Sequence, residues 1–113
     1  MRIFHNPRCS KSRQCLALLE SSGVDYEVIR YLETPPSESD LVSVLSRLDA
    51  PPITAIRTNE HEWRNLTEKP DNGDGVALAA LIARYPRLLQ RPIVDDGSIA
   101  RICRPPELVG ELL

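Results

Sequence analysis

Three cationic side chains surround one cysteine near the start of the chain. Arg8 and Lys11 lie close to Cys9 in sequence, and Arg13 follows shortly after. Nearby positive charge favours a thiolate over a thiol, and the thiolate is the form that attacks an electrophile. The same cations would hold an anionic substrate beside the sulfur. We therefore expect Cys9 to be a nucleophile supported by Arg8 and Lys11. The alternative is a small buried cysteine that merely begins a helix.

Two further kinds of polar side chain accompany this cysteine. His5 precedes Cys9 in the same segment. It is expected to act as a supporting donor or a charge partner that lowers the pKa of the thiol, and the alternative is a histidine packed at a strand end. Ser10 and Ser12 carry hydroxyls that would donate to the thiolate or to a bound anion. These side chains extend the predicted site along the segment.

The other two cysteines, Cys15 and Cys103, have different surroundings from Cys9. An odd count of three cysteines and the absence of a C-x-x-C pair argue against a disulfide framework and against a zinc site. Cys15 falls in an apolar helical stripe, so we expect it to pack in the core. Cys103 precedes Arg104 at a strand end, where a second redox thiol is an alternative to a core role.

The composition excludes several classes of function. The 113 residues are 42% hydrophobic and 27% charged, with a formal net charge of −2, which is typical of a globular domain rather than a disordered chain. No basic tract suggests a nucleic-acid partner. The longest apolar run, Val76–Ala83, is too short to cross a bilayer, and no secretory signal is visible. We therefore expect a cytoplasmic protein without a membrane partner. Twelve of its basic residues are arginines, whose planar fork fits two oxygens of one oxyanion.

The elements that must position Cys9 are a strand before it and a helix after it. The stretch Arg2–His5 is strand-like, and an apolar stripe indicates a helix over about Ser10–Ser22 that Gly23 ends. Alternation over Val24–Leu32 predicts a second strand. Cys9 would then lie at a helix N-terminus, where free N–H groups and the helix dipole favour a thiolate.

Helices predominate in the middle of the chain, and strands return near its end. Ser37 begins a pattern typical of a capped helix, and further helical patterns extend to Tyr85. Alternation on either side of Gly97 predicts a β-hairpin, followed by a short helix. The order is βαβ, a helical insertion at about 37–86, and ββα. It indicates an α/β thioredoxin-like fold with a mixed central sheet, in a single domain over residues 1–113.

Five segments together resemble the glutaredoxin-dependent arsenate reductases. The segment around Cys9 is similar to that family's nucleophile loop, and four others follow in the family's order over essentially the whole chain. The five segments are His5–Arg13, Tyr31–Pro36, Ile56–Arg57, Arg91–Val94 and Cys103–Glu107.

The resemblance implies a role for each matching residue. It implies that Cys9 is the nucleophile, and that Pro92 is the proline that this fold holds in cis ahead of its hairpin. The three oxyanion-binding arginines would be Arg57, Arg91 and Arg104. The supporting groups would be His5 and Ser12.

The resemblance also implies an activity and partners. Cys9 would attack arsenate, glutathione would act as a co-substrate on the resulting adduct, and glutaredoxin would resolve the mixed disulfide as arsenite leaves. No bound cofactor or metal is expected, and we expect a monomer. Two alternatives remain: a related thiol oxidoreductase acting on another substrate, and a redox-linked transcription regulator of the same superfamily. The regulators usually carry a C-x-x-C switch, whereas this loop reads Cys9-Ser10-Lys11-Ser12.

Overall fold

Four short strands form one mixed sheet in the computed structural model, which describes residues 1–113. The order across the sheet is β2-β1-β3-β4. β1 runs parallel to β2 and antiparallel to β3, and β4 is antiparallel to β3. The predicted α/β fold with a mixed central sheet is confirmed. The strands are β1 (Arg2–Phe4), β2 (Glu27–Ile29), β3 (Ile93–Asp95) and β4 (Ala100–Ile102).

Four α-helices and three 3₁₀ turns surround this sheet. The α-helices are α1 (Ser10–Ser22), α2 (Glu38–Arg47), α3 (His61–Arg64) and α4 (Gly75–Arg84). The 3₁₀ turns are Pro52–Ala55, Pro86–Leu88 and Pro106–Leu112. None of the helices has both the length and the apolar character needed to cross a bilayer.

Local signals set the helix ends. Gly23 ends α1 with a φ of 77°, a left-handed conformation that glycine adopts at little cost. The Ser37 hydroxyl accepts the N–H of Asp40 and caps α2, as the sequence predicts. Asp74 caps α4 in the same way, through the N–H of Ala77.

Strand β2 is shorter than the predicted span of Val24–Leu32. It lies at the edge of the sheet and pairs only with β1, which is itself three residues long. After Ile29 the backbone turns, because the Arg30 carbonyl accepts the N–H groups of Glu33 and Thr34. This turn carries Tyr31 off the sheet and into the interior, where only 1% of its surface is exposed.

The sheet has an apolar core on each face. Successive residues of β1 point to opposite faces, so Ile3 and Phe4 belong to different cores. The larger core packs beneath α2 and α4, and the smaller one lies between α1 and the last 3₁₀ turn. Cys15 belongs to the smaller core and is fully buried, as predicted.

Two of the twelve arginines form ion pairs with Asp95, the last residue of β3. The buried Asp95 carboxylate accepts Arg47 at 2.6 Å and Arg2 at 3.0 Å. Burial alone would raise the pKa of Asp95, but hydrogen bonds, above all from Arg47, lower it to about 2. Arg2 and Arg47 therefore have a structural role.

Candidate active site

The loop between β1 and α1 places Cys9 at the N-cap of the helix, immediately before its first residue, Ser10. The Cys9 N–H donates to the Asn6 carbonyl at 3.0 Å, and the Cys9 carbonyl accepts the first helical bond, from Arg13. Asn6 also accepts the Arg8 N–H through its side-chain oxygen at 3.0 Å. Cys9 is partly exposed and its backbone is extended. Its sulfur therefore faces the free N–H groups of the first turn of α1.

These N–H groups and one arginine lower the pKa of the Cys9 thiol. Burial opposes them by disfavouring the charged form. The nearby Ser12 N–H, the Arg91 guanidinium and the Lys11 N–H together outweigh it. A thiolate at Cys9 is thus stabilised at a pH where an ordinary thiol is still protonated.

His5 and Ser12 fix the loop beneath the sulfur. Both are buried, and His5 Nδ1 lies 2.6 Å from Ser12 Oγ. The Ser12 oxygen also accepts the N–H of Asn6 at 3.1 Å, so the Ser12 hydroxyl is held between the His5 ring and the loop backbone. Burial and the charges of Arg30 and Arg13 lower the pKa of His5, which keeps the ring neutral. The Ser12 hydroxyl contacts His5 and the Asn6 N–H, whereas the Ser12 backbone N–H acts on the Cys9 sulfur.

Two of the three family arginines meet at Cys9. Arg104 Nη1 lies 3.8 Å from Cys9 Sγ and also donates to the Arg91 carbonyl at 3.0 Å. Arg91 acts on the sulfur through its guanidinium. The Arg91–Pro92 peptide is cis, as the resemblance implies, and Arg104–Pro105 is cis as well. The loop before β3 and the loop after β4 thus deliver two cations to one thiol.

The third arginine, Arg57, faces a neighbouring cavity. Its Nη1 is paired with Glu60 Oε1 at 2.8 Å, and its backbone N–H donates to the Leu88 carbonyl. Glu60 is in turn paired with Arg87 at 3.3 Å. The cavity has a volume of about 530 Å³ and is lined by Asn6, Arg8, Tyr31, Leu32, Arg57, Arg87 and Arg91. Four of these residues are arginines, so the cavity is strongly cationic in a chain whose net charge is −2.

The cations that flank Cys9 in sequence contribute less directly than expected. The Arg13 guanidinium donates to the Pro7 carbonyl at 2.9 Å. Lys11 is exposed and acts on the sulfur through its backbone N–H. Arg8 is exposed and contributes to the lining of the cavity. The positive field at the sulfur comes mainly from the helix N-terminus and from arginines at the other end of the chain.

Sequence reasoning missed three residues of this region. Arg87 and Asn6 line the cavity, and neither received a role from its sequence pattern. Tyr31 lines it as well, and its hydroxyl makes no hydrogen bond. The sequence signal for Tyr31 was its place in a segment similar to the arsenate reductases, but that signal does not tell a core aromatic from a site residue.

Cys15 and Cys103 lie together in the smaller core, away from solvent. Both are 0% exposed. The neighbouring Cys103 sulfur and burial raise the pKa of Cys15 well above its usual range. Neither of these two thiols lines the cavity that Arg57 faces.

One cluster has metal-ligand residue types. Glu60, His61 and Glu62 bring ligand atoms within 4.8 Å of one another. Both carboxylates are already paired with arginines, Glu60 with Arg57 and Arg87, and Glu62 with Arg87. The cluster is therefore an ion-pair network that holds Arg57.

Comparisons with known proteins agree with this geometry. The model of the ArsC family matches residues 4–112. An arsenate reductase of Neisseria meningitidis is 41% identical over this whole chain and 97% of its own length. The arsenate reductase of Escherichia coli K12 is 34% identical over 98% of this chain and 79% of its own. The structure of an arsenate reductase from Vibrio cholerae matches with a TM-score of 0.84 at 40% identity, covering 100% of this chain and 98% of that one.

Proposed function

The chain belongs to the ArsC family, and from that premise we propose that it reduces arsenate to arsenite with Cys9 as the nucleophile. The observation that carries the proposal is the position of Cys9 Sγ, which lies at a helix N-terminus and 3.8 Å from Arg104. Arg91 acts on the same sulfur and also lines the cationic cavity.

Charge explains why this arrangement suits arsenate. A thiolate must approach an anion, so the site has to neutralise both partners. Helix N–H groups stabilise the sulfur, and arginine forks bind tetrahedral oxyanions through paired hydrogen bonds. In this proposal Arg91 and Arg104 neutralise the thiolate and the arsenate that approaches it. Arg57 binds arsenate oxygens on the cavity side. Arg8, Lys11, His5, Ser12 and Pro92 support the loop and the approach of the anion.

The first step forms a bond between sulfur and arsenic. The Cys9 thiolate attacks the arsenic of dihydrogen arsenate, an As–O bond breaks, and the departing oxygen takes up one proton and leaves as water. The arsenic remains As(V) in the adduct. Charge that develops on the departing oxygen is stabilised by the same guanidinium groups.

A second thiol then reduces the arsenic. A glutathione thiol attacks the Cys9 sulfur, so that an S–S bond forms and the S–As bond breaks. The bonding pair stays on arsenic, which leaves as arsenite, As(III), and carries the thiol proton on an oxygen. A glutaredoxin thiolate next attacks the glutathione sulfur, and Cys9 leaves as a thiolate. Two sulfurs are oxidised for each arsenic reduced.

The positions of the other cysteines support the use of an external thiol. Cys15 and Cys103 are fully buried in the core, so neither reaches the Cys9 sulfur to resolve an adduct. Following the resemblance to the glutaredoxin-dependent arsenate reductases, we propose glutathione as the co-substrate, glutaredoxin as the partner, and no bound cofactor. We place the enzyme as a monomer in the cytoplasm, where glutathione keeps thiols reduced.

A coupled assay tests the proposal. The protein is mixed with glutathione, glutaredoxin, glutathione reductase and NADPH, and NADPH oxidation is followed as arsenate is added. We expect oxidation that saturates with arsenate and one arsenite formed per NADPH. No arsenate-dependent oxidation, combined with turnover of a small disulfide in the same mixture, would favour the alternative of a thiol oxidoreductase with another substrate.

A further inference from the structure

Two buried hydrogen-bond donors of the cavity have no partner in the protein. The Tyr31 hydroxyl and Nε of Arg91 are both shielded from solvent, and neither makes a hydrogen bond. Tyr31 as a whole is only 1% exposed. A buried polar group without a partner destabilises the folded state, and proteins leave few of them. Two such donors on one cavity therefore indicate a ligand that accepts hydrogen bonds.

The surroundings of the Tyr31 hydroxyl identify the chemical class of that ligand. The hydroxyl lies among Arg91, Asn6 and Cys9, each of which influences its ionisation. Burial raises the pKa of Tyr31 and outweighs the opposing charge of Arg91. The phenol consequently stays protonated and keeps its hydrogen available. A protonated phenol beside a guanidinium offers neighbouring donors together with a positive charge, a combination that favours an acceptor-rich, anionic group.

We propose that the Tyr31 hydroxyl donates a hydrogen bond to an oxygen of the oxyanion bound beside Cys9, next to the bond that Arg91 Nε donates. This inference rests on the proposed function and adds a residue to it. Tyr31 supplies a donor without adding charge. It thereby orients one oxygen of the anion while the arginines neutralise it.

The polar groups nearest the hydroxyl are the Arg91 guanidinium and the Asn6 side chain, and the hydroxyl makes no hydrogen bond with either of them. The ring itself packs in the larger core together with Phe4 and Ile93, a role that phenylalanine would fill equally well. The hydroxyl is therefore the part of Tyr31 that core packing does not explain.

The test is Tyr31→Phe, which keeps the ring and removes only the hydroxyl. Two quantities are measured for the variant and for the wild type. The first is the concentration of arsenate that protects Cys9 from iodoacetamide, and the second is the midpoint of thermal unfolding. The matched control is Tyr26→Phe, because the Tyr26 hydroxyl donates to Glu20 on the surface, outside the cavity.

We expect Tyr31→Phe to need about 10-fold to 100-fold more arsenate for protection, the loss typical of a hydrogen bond to a charged group. Its unfolding midpoint should equal or exceed that of the wild type, because an unpaired buried hydroxyl has been removed. KM for arsenate should rise in parallel in the coupled assay. Tyr26→Phe should bind arsenate as the wild type does.

Two results would overturn the inference, and they differ from failure of the proposed function. Unchanged arsenate protection in Tyr31→Phe would remove the hydroxyl from the site. A lowered unfolding midpoint with unchanged protection would assign the hydroxyl a structural partner. If arsenate neither protects Cys9 in the wild type nor is reduced by it, the proposed function fails, and the role of Tyr31 fails with it.

Discussion

The molecule holds cysteines in two contrasting environments. Cys9 is partly exposed at the start of α1, with backbone N–H groups and arginines around its sulfur. Cys15, six positions later on the same helix, is fully buried beside Cys103 in an apolar core. The surroundings of Cys9 lower the pKa of its thiol, whereas those of Cys15 raise the pKa of its thiol. The same side chain is thus prepared as a nucleophile at one position and as a small core residue at the other.

The difference comes from what each environment offers a negative charge. At Cys9, oriented N–H groups and guanidinium groups replace the water that burial removes. At Cys15, the neighbouring Cys103 sulfur and burial both favour the neutral thiol. A thiol at the core position contributes to stability, whereas one at the helix N-terminus contributes to chemistry.

The largest expected effect separates the two thiols by activity. Cys9→Ser should lose arsenate-dependent NADPH oxidation by at least about 10³-fold, because a serine hydroxyl is not ionised at neutral pH and cannot form the disulfide. Cys15→Ala, the matched control, should retain most of the activity. Comparable losses in both variants would contradict the assignment of the chemistry to Cys9.

A smaller effect is expected from the cation that acts on the Cys9 sulfur. Arg91→Lys keeps the charge but loses the planar fork, and kcat/KM for arsenate should fall by about 10-fold to 100-fold. Arg64→Lys on α3 is the control, because Arg64 is exposed and does not line the cavity. Full activity in Arg91→Lys would mean that positive charge alone, without fork geometry, is sufficient at this position.

The smallest expected effect concerns stability, for which Cys15 should matter more than Cys9. Cys15→Ala removes a buried sulfur and should lower the free energy of unfolding by about 1–2 kcal/mol. Cys9→Ser should change it by less than about 0.5 kcal/mol, since the position is partly exposed. Denaturant unfolding of both variants measures the difference. Equal destabilisation would remove the contrast between a structural and a reactive thiol.

Helix α1 was predictable because its signals are local. The apolar stripe, the glycine stop and the strand before it all lie within the first part of the sequence, and together they placed Cys9 at a helix N-terminus. Strand β2 was predicted too long. Alternation in sequence reports a tendency towards extended backbone, whereas strand length depends on a partner, and β1 offers only three residues.

The nucleophile of the site was predictable from the sequence, but the cationic side chains that act on it were less so. Sequence proximity pointed to Arg13, whose guanidinium instead bonds to the Pro7 carbonyl. Arg91 and Arg104 could be named only through resemblance to a family, since no local pattern brings the two ends of a chain together. Arg87 and Tyr31 were missed for the same reason, because the cavity that they line exists only after folding.

Reactivity of the three thiols towards iodoacetamide across pH tests the central claim most directly. The native protein is labelled at a series of pH values, and mass spectrometry reports the rate at each cysteine. Because its pKa is lowered, Cys9 should react with a midpoint below the value of about 8.5 for a free thiol, and arsenate should slow its labelling. Cys15 and Cys103 should react only after denaturant is added. A Cys9 midpoint at or above that of a free thiol would contradict the account, because the nucleophile would then not be activated by its surroundings.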